Sequence, residues 1–253
     1  LEQTITDRRQ VKVGTQTALV LDAAGNVTQR GSTGEPLYVE VGLAARRLVE
    51  LKLLSPAIDR LTAISFGADK KLTVLRPWSG DHQAVVDSLY IYEPVPDIGY
   101  TPLSDLILFA ASQFDNDDLA PDQERSIVVF SDGVDKIGNT ELIDAITYAQ
   151  NRNIRIHAVM TGPATPDSQR NMSRLATMTN GKYVEFTSIE ALDDLWNTIA
   201  AGSTQELLTY RSSKPDPREI QVTAEMADGE TLAANRFFPA PSLLPVQVNI
   251  VTP

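Results

Sequence analysis

Short apolar runs alternate with segments of helical periodicity through most of this chain, and that alternation restricts the fold more than any other feature. Strands are expected at about 16–22, 60–66, 72–78, 126–131, 154–160 and 182–186. Helices are expected at about 36–53, 83–89, 102–114, 140–151, 167–178 and 188–200. Within the first of these, Leu37, Val41, Ala44, Leu48 and Leu51 recur at helical spacing, and Pro36 suits a first turn. Gly67-Ala68-Asp69-Lys70, between the second and third strands, is a hairpin signal. Repeated strand-helix units bury a mostly parallel sheet between two helical layers, so the expected class is α/β, a doubly wound, Rossmann-like sheet flanked by helices.

Two of the apolar runs end in aspartate. Thr17-Ala-Leu-Val-Leu leads into Asp22 and a small-residue turn, and Ile127-Val-Val-Phe-Ser leads into Asp132-Gly133. In open α/β sheets, ligands bind at the carboxyl ends of strands, where both aspartates fall. Gly99-Tyr100-Thr101-Pro102-Leu103 opens a helical stretch with a hydroxyl. This arrangement, with the order of strands and helices from Val13 to Ser203, resembles the von Willebrand factor A family. The resemblance implies a metal-ion-dependent adhesion site, built from Asp-x-Ser-x-Ser with a later threonine and a second aspartate. Asp22 matches the first aspartate, Thr101 the threonine and Asp132 the second aspartate. Gly25 falls where a glycine is common, whereas Ala24 and Asn26 replace the two serines.

Those replacements weaken the site without abolishing its chemistry. Magnesium takes about six oxygen ligands and keeps waters readily, so Ala24 removes a ligand that water can replace. Asn26 still offers an amide oxygen, and the two carboxylates supply the negative charge a hard cation requires. The implied ligand set is Asp22, Asn26, Thr101 and Asp132, holding Mg2+, or Mn2+ or Ca2+. In the family, the open position takes a carboxylate from a partner protein, so the implied function is non-enzymatic protein binding in adhesion or assembly. The other reading makes Asp22 a turn cap and Asp132-Gly133 an ordinary tight turn, in a structural module that has lost metal dependence.

Enzyme classes find little support. The chain has two histidines, His82 near a helix start and His157 inside a strand, and both read as structural. It carries neither a Gly-x-Ser-x-Gly elbow nor a phosphate-binding glycine loop. Ser131 reads as a turn residue, and a metal-assisted hydrolase using Asp22 and Asp132 would need a general base that the sequence does not name. A net charge of -11 argues against nucleic acid as a partner. Much of that charge lies in residues 115–124, which read as a solvated loop lacking the glycine of a calcium-binding loop. The absence of cysteine excludes disulfides, zinc-thiolate sites and thiol nucleophiles.

No apolar run reaches the ~18 residues that would span a bilayer. The chain reads as a portion of a longer exported protein, with an extracellular or cell-surface setting. From Gln205 onward the periodicity changes to short strands at 206–210, 219–225, 231–238 and 246–251, with Asp228-Gly229 as a hairpin signal. Leu1 to Val13 also reads as extended. Residues 1–12 and 204–253 are therefore expected to form a small β-sandwich into which an α/β domain of residues 13–203 is inserted; alternatively, they extend along that domain. The polar segment between Asn26 and Pro36 is longer than the turn needs, and reads either as a partner-selecting loop or as a neutral insertion. Trp78 and Trp196 read as packing residues, Tyr100 as a contact anchor, and Asn26 and Asn171 head Asn-x-Ser/Thr sequons.

Overall fold

The computed structural model describes residues 5–22, 30–66, 71–90, 102–115, 123–135, 140–210, 218–225, 231–238 and 246–250. The chain divides into two units, one of Lys12–Thr204 and one of Leu1–Val11 with Gln205–Pro253.

The larger unit is the expected α/β fold. Its six strands are β2 (Thr15–Leu21), β3 (Arg60–Phe66), β4 (Leu72–Ser79), β5 (Glu124–Ser131), β6 (Ile154–Met160) and β7 (Tyr183–Glu185), preceded in the chain by β1 (Ile5–Lys12) of the other unit. They lie in the order β4-β3-β2-β5-β6-β7. All neighbours are parallel except the pair of β3 and edge strand β4. Every residue of β2 is buried, as expected of a central strand covered on both faces.

Alternation along the strands creates two cores. Ala18, Val20, Ile127, Val129, Ile156 and Ala158 face α3 (Leu103–Ser112), α4 (Leu142–Asn151) and α5 (Pro166–Met178). Leu19, Leu21, Val128, Phe130 and Val159 face α1 (Leu37–Glu50), α2 (His82–Tyr90) and α6 (Asp193–Ala201). Trp196 of α6 is fully buried, and its Nε1 donates to the Ala44 carbonyl at 3.1 Å. Trp78 packs edge-on against Phe114 at 4.9 Å, and its Nε1 donates to the Gln113 carbonyl. α1 and α2 approach closely at Gly42, where a Cβ would lie 2.8 Å from the Tyr90 Cα.

The first helix stops at Glu50, short of the expected residue 53, because Lys52 adopts a φ of 53°. The last helix of this unit is preceded by a 3-10 turn over Ile189–Leu192 where continuous helix is expected. In the smaller unit, β8 (Thr204–Tyr210) lies between β1 and β11 (Val246–Ile250), and pairs antiparallel with the latter. β9 (Arg218–Glu225) and β10 (Thr231–Phe238) form a separate antiparallel pair, with Glu225 opposite Thr231.

Candidate functional site

The chain winds outward from β2 through β3 to β4 in one direction, and from β5 through β6 to β7 in the other. The reversal between β2 and β5 is a topological switch point, where two neighbouring strands send their following loops to opposite faces and leave a crevice at their carboxyl ends. Asp22 and Asp132 directly follow those two strands.

Leu21 is the register partner of Phe130, and the Asp22 amide continues the ladder by donating to the Phe130 carbonyl at 2.9 Å. Asp22 and Ser131 thus meet at the sheet edge, both fully buried, and the Ser131 hydroxyl donates to Asp22 Oδ2 at 2.6 Å. Ser131 is more than the turn residue its sequence position suggests. It also accepts the Gly133 amide at 3.0 Å, so one hydroxyl ties the first carboxylate to the turn carrying the second. Asp132 is half-buried, with Oδ1 accepting the Val134 amide at 3.0 Å.

That turn is held from two further sides. Gly133 has a φ of 73°, and a Cβ there would come within 2.5 Å of the Ser168 carbonyl oxygen of α5. Its carbonyl accepts from Asn171 Nδ2 at 3.1 Å, so the nitrogen of this sequon is engaged in holding the turn. Asp135 accepts from the amide of Ser104 at 3.5 Å and from its hydroxyl, fastening the turn to the first residues of α3. Thr161 follows β6 and donates its amide to the Ser131 carbonyl at 2.8 Å. Its side chain is fully buried, yet its hydroxyl has no hydrogen-bond partner.

Residues 31–35 are clasped by Glu40 of α1. Its buried carboxylate accepts the Ser32 amide at 2.9 Å, the Thr33 amide at 2.5 Å and both hydroxyls. Burial raises the Glu40 pKa, but the hydrogen bonds from Thr33 and Ser32 outweigh it and hold the group below the ordinary value. Gly31 leaves room for this clasp, since a Cβ there would overlap the Glu40 carboxyl.

Of the expected ligands, the fold brings Asp22 and Asp132 to one edge; Asn26 and Thr101, like Ala24, Gly25 and Tyr100, lie outside the described residues. Asp22, Ser131 and Asp132 offer only oxygen, and the unpartnered Thr161 hydroxyl lies at the same edge. This donor chemistry fits a hard divalent cation. No group of three or more histidine, aspartate or glutamate side chains is clustered for a metal among the described residues. A cavity of about 550 Å³, lined in part by Leu48, Leu54, Asp81 and His82, shares no residue with the carboxylate pair. His82 Nε2 lies 3.1 Å from the Asp59 carbonyl oxygen, and His157 Nδ1 accepts the Lys182 amide at 3.1 Å. The ends of the acidic segment are tied down: Asp115 pairs with Arg152 at 2.7 Å and Glu124 with Arg155 at 2.9 Å.

Residues 88–185 match the family model for the von Willebrand factor type A domain. The fold is similar to that of BatB from Bacteroides thetaiotaomicron, with a TM-score of 0.61 at 15% identity over 75% of this chain and 98% of that one. An aerotolerance-related membrane protein from Bacteroides fragilis aligns with a TM-score of 0.54 at 16% identity, over 74% of this chain and 98% of its own. Proximal thread matrix protein 1 of the mussel byssus aligns with a TM-score of 0.56 at 12% identity, over 79% of this chain and 49% of its own. No curated protein matches the chain. The family match and the shared fold support a von Willebrand factor type A domain in the larger unit.

Proposed function

We propose that the α/β unit is a non-enzymatic protein-recognition module, for adhesion or assembly, that engages an acidic side chain of a partner through a divalent cation held between Asp22 and Asp132. The observation that carries this reading is the placement of two carboxylates after neighbouring strands at the switch point, joined through Ser131. Asn26 and Thr101 complete the proposed oxygen set, with water where Ala24 stands. Magnesium or manganese would supply the positive charge at this edge. A chain of net charge -11 repels an acidic partner unless a cation intervenes, so metal dependence and partner chemistry are parts of one proposal. An exported or cell-surface setting belongs to the same reading, and the Bacteroides fragilis protein of similar fold is described as a membrane protein. No helix among the described residues is long and apolar enough to cross a membrane.

The second reading, a metal-independent scaffold, draws on the fact that Asp22 Oδ2 and Asp132 Oδ1 already accept hydrogen bonds from Ser131 and Val134. Calorimetric titration of magnesium, then manganese, into chelator-stripped protein separates the two. Saturable one-site binding that Asp132→Ala abolishes is the expected result. Wild-type protein that takes up neither ion leaves the scaffold.

A further inference from the structure

The cavity of about 550 Å³ lies at the other end of the sheet from the carboxylate pair. Its walls come from the end of α1, the turn that leads into β3, and the turn from β4 into α2. β2, β3 and β5 run parallel, so the start of β3 marks the amino end of the sheet, whereas Asp22 and Asp132 follow carboxyl ends. The two turns meet at Gly80, where a Cβ would lie 2.4 Å from the Pro56 carbonyl oxygen, and their contact walls one side.

Leu48, Val49 and Leu54 give the cavity an aliphatic lining. Its polar side chains are Asp81, His82, Gln83 and Lys52, and the first three are already engaged. Asp81 Oδ1 accepts the Ala84 amide at 3.1 Å, which caps α2. His82 Nε2 donates to the Asp59 carbonyl at 3.1 Å, and Gln83 Nε2 donates to Asp87 Oδ1 at 2.9 Å. Lys52 is exposed, and its ammonium has neither a hydrogen bond nor an ion pair among the described residues. It follows Leu51, the C-cap of α1, with a φ of 53°, at a position where glycine is the favoured residue. In a chain of net charge -11, an uncommitted cation therefore stands at an aliphatic cavity, where the backbone alone favours no side chain.

We propose that this cavity binds an aliphatic carboxylate, a small amphiphile whose chain lies against Leu48, Val49 and Leu54 and whose head group pairs with Lys52. Small-molecule sites are typically concavities of roughly 300–1,000 Å³ with apolar walls and a few polar groups that fix orientation. The charge of the head group follows from which polar group is left to meet it. An ammonium head would face Lys52 as a like charge, and the Asp81 carboxylate is held on the amino end of α2 by its cap. The positive end of that helix dipole favours an anion in the same place. This site shares no residue with the proposed cation site and does not depend on it.

The test titrates sodium octanoate, and in parallel octylammonium chloride, into the whole chain while the methyl resonances of Leu48, Val49 and Leu54 are followed. Octanoate is expected to shift all three along one saturation curve, and octylammonium to bind about fivefold more weakly or worse. Lys52→Gly is expected to weaken octanoate binding about fivefold, and Lys52→Arg to bind it nearly as the wild type does. Because glycine suits the φ at this position, Lys52→Gly is expected to melt no lower than wild type, so its weaker binding is not a loss of fold. Equal affinity for the two head groups, or octanoate affinity unchanged in Lys52→Gly, overturns the pairing with Lys52 and with it the proposal. Octanoate that leaves the three methyl resonances unmoved at millimolar concentration overturns the cavity as its site.

Discussion

The Ser131 hydroxyl donates to Asp22 Oδ2 at 2.6 Å, and the same oxygen accepts the Gly133 amide at 3.0 Å. One small side chain therefore couples the ends of β2 and β5, which only the parallel register brings together. Both residues are fully buried, so neither can exchange its partner for bulk water. Ser131→Ala leaves a buried carboxylate and a buried amide each short of a bond, a loss of about 1–3 kcal/mol. Urea denaturation is expected to show a lower midpoint with an unchanged slope. A midpoint equal to wild type would mean that Asp22 is satisfied without Ser131.

The Glu40 clasp sets the shape of residues 31–35. Its carboxyl is held below the ordinary pKa by hydrogen bonds that outweigh burial, so its contribution is complete above the unfolded-state value and is lost as pH falls through the lower, folded value. Glu40→Gln keeps the size but replaces an acceptor by a donor opposite two amides and two hydroxyls. The protection factors of the Ser32 and Thr33 amides, the exchange rates corrected for the intrinsic rate at each pH, are expected to fall by about tenfold in the variant near neutral pH, and in the wild type on acidification. Unchanged exchange at both amides would show that the loop holds its shape without the carboxylate.

The sheet was legible in the sequence because its central strands carry short buried apolar runs, and the run from Ile154 to Met160 is the observed β6 without a residue's change. Helix ends were less legible. Leu51, Leu53 and Leu54 continue the apolar pattern of α1, yet they pack on the same core from a turn in which Lys52 has reversed its φ. Periodicity there reports burial, which a turn can satisfy as well as a helix. Asp22 and Asp132 could be picked out because strand ends are visible in one dimension. Glu40, Asp135 and Thr161 could not, because their roles depend on loop return and strand register. Ser131 stood beside Asp132 in plain view, but only the pairing of β2 with β5 gives it a carboxylate to hold.

The second core holds an acid-sensitive group far along the chain from that pair. His157 is 2% exposed, its Nδ1 accepts the Lys182 amide, and its Nε2 has no partner. Burial first, then the charges of Arg155 and Lys182, lowers its pKa to about 4. The ring is neutral when folded and protonates near 6.5 when unfolded, so its stabilisation is complete above that value and is lost as pH falls toward about 4. The full effect is about 3 kcal/mol, of which roughly 2 kcal/mol falls between pH 7 and pH 5. Glu124, whose pKa burial raises, works in the opposite sense, so the measurement must be a difference between variants. His157→Gln is expected to flatten the pH dependence of unfolding between pH 7 and pH 5 relative to wild type, whatever its effect at pH 7. Imidazole resonances followed through the same range are expected to show His157 still neutral at pH 5. A ring that titrates near 6.5 in the folded protein would contradict the burial argument directly.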